Sequence, residues 1–368
     1  MLVWLLNRFA PLAERLEAAS SGDSRVYLTA RIALAAVLAF TLAVGLGPLV
    51  IALLRNKRVG ERIDSASPQL NELHAAKRDT PTMGGAFIMA AAILATLLCA
   101  DLSNLHVLLA LVVGLAFAVV GAVDDWQKLR RQKRGLSARG KLLAQTILAA
   151  GVAVALWLLQ GEHPQGTALR SPIGEWAIRL GVLFIPWAVL VIVGSSNAVN
   201  LTDGLDGLAA GCIVFAGGAF AVLAYLSGHA AMAEYLAIPR VVGGGELGVV
   251  MAALVGATLG FLWYNAPPAQ IFMGDVGSLP LGALLGYVAL AIRQEALLAI
   301  IGGVFVVETL SVIAQVASFK MTGKRVLACS PLHHHFQFRG MPETRIVVRF
   351  WIVAALLGIA GLACLKLR

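Results

Sequence analysis

Residues 117–128 read FAVVGAVDDWQK, an apolar run that ends in two adjacent aspartates, Asp124 and Asp125. A solvated helix end would explain one such residue. Two of them beside Val123 and Trp126 are harder to explain that way, because a negative pair at a helix C-terminus opposes the macrodipole. Ionisable groups at membrane depth are functional candidates by default. A divalent cation, or Lys128 and Arg130, would compensate the pair. A second set lies in NAVNLTDGLDGLAAG (197–211), where Asn197, Asn200, Asp203 and Asp206 recur at steps of three. On an α-helix such steps drift by about 60° each. An unbroken helix therefore fans the four over half its circumference, and a break at Gly204 and Gly207 would gather them.

Two further segments carry chemistry. In FMGDVGS (272–278), Asp275 sits between glycines at the start of an apolar run. It reads either as a helix N-cap or as a carboxylate beside free helical N–H groups that suit a phosphate. In PLHHHF (331–336), His333, His334 and His335 are adjacent. Neighbours on a helix point apart, so the three do not suit one zinc ion. Contacts with phosphate or carboxylate, with one ring assisting proton transfer, suit them better. Glu308, Ser311 and Gln315 share one helix face and either line a cavity or hydrogen-bond a neighbouring helix. The cysteines, Cys99, Cys212, Cys329 and Cys364, have no metal-binding or disulfide spacing. Oxygen ligands without thiolates suggest a hard cation, and Mg²⁺ commonly takes one or two carboxylates together with substrate phosphates. No GxxxxGK[ST] phosphate loop occurs, which disfavours an ATPase.

These residues need elements to position them. The chain has 368 residues, 59% hydrophobic and 13% charged, where soluble domains carry roughly 25% charged residues. With a mean hydropathy of +0.83, this balance predicts an all-α integral membrane protein. A crossing helix needs about 20 apolar residues. Ten candidate spans lie at roughly 27–54, 82–100, 103–123, 141–159, 177–196, 206–228, 246–265, 276–293, 296–319 and 346–366. The formal charge of +9 raises nucleic acid or anionic lipid as partners, and its placement decides. Lys and Arg concentrate at 55–78, 128–141 and 320–349, all loops of one parity, which the positive-inside rule makes cytoplasmic. Both termini are then periplasmic, all four polar segments face the cytoplasm, and membrane lipids rather than nucleic acid are the expected partners. The reading is one polytopic domain, 1–368, with an amphipathic interfacial helix at 1–20 and a ten-helix bundle at 27–366. Turn residues between spans 4 and 5 predict an external hairpin, and 229–245 a short external helix.

TPTMGG (80–85), DDWQK (124–128), NAVNLTDGLDGLAAG (197–211), FMGDVGSL (272–279) and PLHHHF (331–336) jointly resemble the signatures of the polyprenyl-phosphate N-acetylhexosamine-1-phosphate transferases. Within that superfamily they look most like the bacterial phospho-N-acetylmuramoyl-pentapeptide transferases, from about residue 25 to the C-terminus. The resemblance implies transfer of phospho-N-acetylmuramoyl-pentapeptide from its UDP-linked donor to undecaprenyl phosphate, giving lipid I and UMP. It also implies Mg²⁺ as cofactor, a homodimer, and a place in the bacterial inner membrane at the first membrane step of peptidoglycan synthesis. Carried over by position, Asp124 and Asp125 are the catalytic pair and contribute to the metal site, with Asp275 as the chief Mg²⁺ ligand. His333 is the important histidine, with His334 and His335 beside it. Lys77, Asn200, Asp203, Asp206, Phe272 and Gln315 match the nucleoside pocket, and Asn197, Lys128 and Lys141 match positions around the diphosphate and metal. The sequence departs from the usual pattern at Asp79, Val276, Pro280 and 64–73.

Two rival functions remain on the sequence alone. One is a sibling transferase using UDP-N-acetylglucosamine. The other, of a different class, is an ion-coupled transporter. The clustering of acids on one face rather than at the bilayer midplane argues against transport.

Overall fold

The computed structural model describes residues 1, 3, 27–56, 77, 80–131, 135–161, 166–172, 174 and 176–366. The interfacial helix expected at 1–20 lies outside them apart from its first and third residues. The principal helices are α1 (Leu28–Asn56), α2 (Gly85–Cys99), α3 (Leu105–Arg131), α4 (Ala138–Gln160), α5 (Phe184–Thr202), α6 (Leu208–Gly228), α7 (Ala230–Tyr235), α8 (Glu246–Asn265), α9 (Asp275–Ala291), α10 (Glu295–Ile301), α11 (Gly303–Thr322), α12 (Leu332–Phe338) and α13 (Glu343–Ala363). Among the described residues, eight helices are long and apolar enough to cross a membrane, and α2 and α9 are apolar but shorter. The protein is an all-α integral membrane protein.

Several boundaries differ from the sequence expectation for physical reasons. Helix α3 continues past the aspartate pair that was expected to end it, because Lys128 lies at i+4 from Asp124 and i+3 from Asp125 and offsets both on the same helical face. The start expected for the fifth span, at 177, is instead strand β2 (Ala177–Arg179) of a small hairpin with β1 (Ala168–Arg170), paired antiparallel with Leu169 opposite Ile178. The fifth helix then runs on to Thr202, so Asn197 and Asn200 are helical. The ninth span is broken at Gly302 into α10 and α11.

Helix α9 is the centre of the bundle. Every one of its 17 residues is buried. At 1.5 Å per residue it is about 25 Å long, short of a hydrocarbon core of about 30 Å. It tolerates this because it is packed in protein rather than lipid: α3 and α5 flank it, and α2, α6 and α10 also touch it. Around the outside, α1, α3, α4, α11 and α13 expose apolar side chains such as Val37, Val119, Ile147, Leu310 and Leu356. Exposure on that scale suits lipid, where packing and interhelical hydrogen bonds hold helices together.

Alternation of the helices puts the ends of α3, α5, α8 and α11 at one end of the bundle with the starts of α4, α6, α9 and α13. All the polar segments singled out above are therefore at that end. At the opposite end Arg31 of α1 is buried and grips Glu246 of α8 with both terminal nitrogens, at 2.8 and 2.5 Å. Arg31 also donates to the Cys99 carbonyl, and Glu246 accepts the Asp101 N–H, so one ion pair ties α1 and α8 to the α2–α3 connection.

Candidate active site

The aspartate pair and Asp275 meet where α3 crosses the start of α9. One carboxylate oxygen from each of Asp124, Asp125 and Asp275 lies within 4.8 Å of the others. The side chains are only 4%, 3% and 9% exposed, so water screens them little. The close approach depends on Gly121, whose Cα lies against the backbone of Asp275 and Val276. Gly274 precedes Asp275 at φ 71°, a left-handed conformation that glycine adopts without strain. Asp275 is thus the first helical residue, with Gly274 in the cap position that the sequence had offered to the aspartate. The first turn of α9 supplies a free N–H: Val276 donates to Asp125 Oδ2 at 3.0 Å. Asp124 is held from the other side by the Leu136 N–H at 2.6 Å.

Three crowded carboxylates need positive charge. Lys128 Nζ lies 3.1 Å from Asp124, 3.4 Å from Asp125 and 3.0 Å from Asp275. Lys141, from the first turn of α4, reaches Asp275 at 2.5 Å and Asp124 at 3.6 Å. Asn200 completes the set by donating to Asp275 Oδ1 at 2.7 Å and to the Ser278 hydroxyl at 2.8 Å. Because α5 is still helical there, Asn197 points elsewhere, to Gln145 of α4 at 2.7 Å. Of the polar repeat, Asn197 and Asn200 diverge on the helix while Asp203 and Asp206 lie in the break that follows it, so the break does not gather all four on one partner.

The helix ends at Thr202, and Asp203–Gly207 form a turn that closes on Gly207 at φ 76°. The Asp203 N–H donates to the Asn200 carbonyl as the C-cap of α5. Asp206 accepts from Lys77 Nζ at 2.7 Å and from the Ala269 N–H at 3.0 Å. Phe272 is half-buried in the strand-like segment before Asp275. Its N–H donates to the Pro81 carbonyl and its carbonyl accepts from Gly84, which gives the TPTMGG segment the task of steadying 271–274.

The three histidines diverge, as adjacent helical residues must. His333 is fully buried, with Nδ1 3.2 Å from a Glu308 carboxylate oxygen, and its ring edge lies against Gly204. His334 pairs with Gln337 at 2.7 Å, and His335 accepts the Ala328 N–H at 3.1 Å. His333 belongs to the Asp203–Gly207 turn rather than to the acidic trio. Gln315 likewise grips the chain after α11, accepting from Val326 and Leu327 and donating to the Leu327 carbonyl. Of the face shared by Glu308, Ser311 and Gln315, Gln315 binds the connection to α12, Glu308 accepts the His333 N–H in the first turn of α12, and Ser311 turns back to its own helix.

Sequence reasoning missed Glu343 and Asn265. Glu343 accepts from Lys77 at 2.6 Å and from the Asp206 N–H at 2.9 Å. Asn265 accepts the Gly207 N–H and donates to the Ile271 carbonyl. A lone amide ending an apolar span was the available signal for Asn265. Nothing local marks Glu343 beyond a place in the first turn of α13.

A sequence profile described as glycosyl transferase family 4 matches residues 107–293, just over half of the chain, from the start of α3 through α9. The chain belongs to that family. The family comprises phospho-N-acetylmuramoyl-pentapeptide transferase and related polyprenyl-phosphate hexosamine-1-phosphate transferases. As a family 4 transferase the protein takes a polyprenyl phosphate acceptor and a nucleotide-sugar donor. The match covers Asp124, Asp125, Lys128, Lys141, Asn197, Asn200, Asp203, Asp206, Phe272 and Asp275, but neither Lys77 nor the histidine segment. The family is commonly dependent on a divalent metal, and the buried trio has the chemistry for one: hard oxygen donors within reach of a single small ion.

Proposed function

We propose that this transferase moves phospho-N-acetylmuramoyl-pentapeptide from its UDP-linked donor to undecaprenyl phosphate, forming lipid I and releasing UMP. The observation that carries the reaction class is the buried trio of Asp124, Asp125 and Asp275 bridged by Lys128 and Lys141. The muramoyl-pentapeptide donor is favoured over UDP-N-acetylglucosamine by the PLHHHF segment and the full NAVNLTDGLDGLAAG stretch.

Mg²⁺ suits the trio and, when bound, neutralises charge that develops on the diphosphate. The chain's own groups do the rest. Lys128 and Lys141 hold the diphosphate oxygens and keep the carboxylates together. Asn200 fixes the rotamer of Asp275. The aspartate pair accepts the proton of the lipid phosphate or orients it. A lipid phosphate oxygen then attacks the β-phosphorus of the donor, the bond to the UMP oxygen breaks, and UMP leaves. Which of Asp124 and Asp125 takes the proton is a property of the pair, since like charges this close titrate together. Lys77, Asp203, Asp206, Phe272 and Gln315 belong to the nucleoside side of this reading, and His333, with His334 and His335 beside it, to the face where the turn meets α12. The setting we infer is the bacterial inner membrane, with the site on the cytoplasmic face, periplasmic termini, and a homodimer acting in peptidoglycan synthesis.

The test is UMP formation by purified protein in detergent, with undecaprenyl phosphate and each UDP-sugar in turn. Mg²⁺-dependent release from the muramoyl-pentapeptide donor alone is expected. Release only from UDP-N-acetylglucosamine would transfer the protein to the sibling activity, and no release from either donor would defeat the proposal.

A further inference from the structure

Lys77 joins three parts of the chain that are far apart in sequence. Its Nζ lies 2.7 Å from Asp206 Oδ1 and 2.6 Å from Glu343 Oε1. The same Glu343 oxygen accepts the Asp206 backbone N–H at 2.9 Å. The result is a closed three-membered ring: ammonium to Asp206, Asp206 N–H to Glu343, Glu343 to ammonium. Hydrogen bonds with one ionised partner are the strong ones, and here both ends of two contacts, Lys77–Asp206 and Lys77–Glu343, are charged. Lys77 and Asp206 side chains are 17% and 4% exposed and Glu343 23%, so the ring is shielded from most of the solvent.

The ring is coupled to the acidic trio through two short segments. Asn200, which fixes Asp275, is six residues before Asp206 on the same turn-and-helix unit. Ala269, which donates to Asp206 Oδ2, is six residues before Asp275. Glu343 and Trp351 of α13 both hold this turn, the latter through its Nε1–H to the Gly207 carbonyl at 3.1 Å. Helix α13 thus anchors the turn, and through Glu343 it also sets where Lys77 can point.

We infer that Glu343 is a positioning residue for the donor subsite: it fixes Lys77 and the Asp203–Gly207 turn in one geometry, and it governs donor affinity rather than the transfer step. This rests on the transferase reading above. A donor whose diphosphate sits at Lys128 and Lys141 is too long to end there, and the ring offers the next charged, shielded surface on the same two segments. Glu343 itself touches no reacting atom. Removing its charge leaves Lys77 held by Asp206 alone and leaves the Asp206 N–H with a weaker acceptor, so binding suffers before chemistry does.

The experiment is steady-state kinetics on purified wild type, Glu343→Gln, Glu343→Asp, Lys77→Met and the Lys77→Met/Glu343→Gln double variant, with donor and lipid varied separately. Glu343→Gln should raise the donor KM by about tenfold or more, the loss expected for one charge-assisted contact, with kcat and the lipid KM within about threefold. Glu343→Asp, which keeps the charge on a shorter stem, should recover part of the donor KM, and the double variant should lose less than the sum of the two single variants, as residues that share a contact behave. An unchanged donor KM, a fall confined to kcat, or additive losses would overturn the inference, as would loss of folding in Glu343→Asp as well as Glu343→Gln. Inactive wild type would instead count against the transferase reading on which the inference rests.

Discussion

Gly121→Ala tests whether the close crossing of α3 and α9 assembles the site. A Cβ placed there would lie 2.2 Å from the Asp275 carbonyl oxygen, 2.4 Å from its carbon and 2.6 Å from the Val276 nitrogen. Those are backbone atoms at the start of a fully buried helix, so no side chain can swing aside. Reaching ordinary contact at roughly 3.5 Å requires the two helices to part by about 1 Å. The Val276 N–H···Asp125 bond, 3.0 Å in the structure, would lengthen to about 4 Å, beyond hydrogen-bonding range. Loss of a bond to a charged acceptor costs about 1.5–3 kcal/mol, and a displacement of about 1 Å at reacting groups costs about a hundredfold in rate. Gly121→Ala should therefore insert and purify with a lowered melting temperature and show about one-hundredth of wild-type UMP release. Gly151→Ala is the control: that position is exposed on α4 with nothing within 4 Å of the added methyl, so activity should be unchanged. Turnover in Gly121→Ala above about half of wild type would refute the argument that this crossing holds the trio in register.

Other expectations follow from the same geometry. Asp124→Asn, Asp125→Asn and Asp275→Asn should each collapse turnover while the protein still elutes as a folded species on gel filtration; near-normal rates in all three would reject the site. Chelation with EDTA should abolish UMP release and added Mg²⁺ restore it, and activity that persists in EDTA would count against metal at the trio. Direct transfer predicts that protein incubated with labelled donor and no lipid retains no covalent label; a trapped phospho-sugar adduct would establish a two-step route through an aspartate nucleophile. Far from the site, Glu246→Gln leaves the Arg31 guanidinium buried with a partly emptied partner, so thermal unfolding in detergent should reveal a loss of about 3–5 kcal/mol, and an unchanged melting temperature would show the pair to be dispensable.

Much of this protein was legible in order of appearance along the chain. The apolar segments declare themselves because a lipid solvent penalises every unpaired backbone group and leaves helices as the economical way across. The aspartate pair, the Asn–Asp repeat, Asp275 and the histidines stood out for the same reason: polar groups at membrane depth are expensive and need a cause. The short hairpin before the fifth helix was also readable from turn residues, and the helix at Ala230–Tyr235 falls within the stretch where a short helix was expected. Boundaries were less so. Helix α3 outruns its apolar stretch because a lysine at i+3 and i+4 makes its acidic end helix-compatible, and a hairpin strand replaces the apolar start expected for the fifth span.

Partnership was decided elsewhere. Spacing alone could not say that Asn200 turns to Asp275 while Asn197 turns to Gln145, that His333 answers Glu308 and Gly204 rather than the aspartates, or that Glu343 closes on Lys77. Local sequence determines which residues are polar and where a helix lies, since those depend on solvent and on neighbours a few positions away. Which carboxylate meets which lysine depends on how closely two helices cross, and that distance is set by side chains such as the missing one at Gly121, whose consequence appears only when a distant segment packs against it.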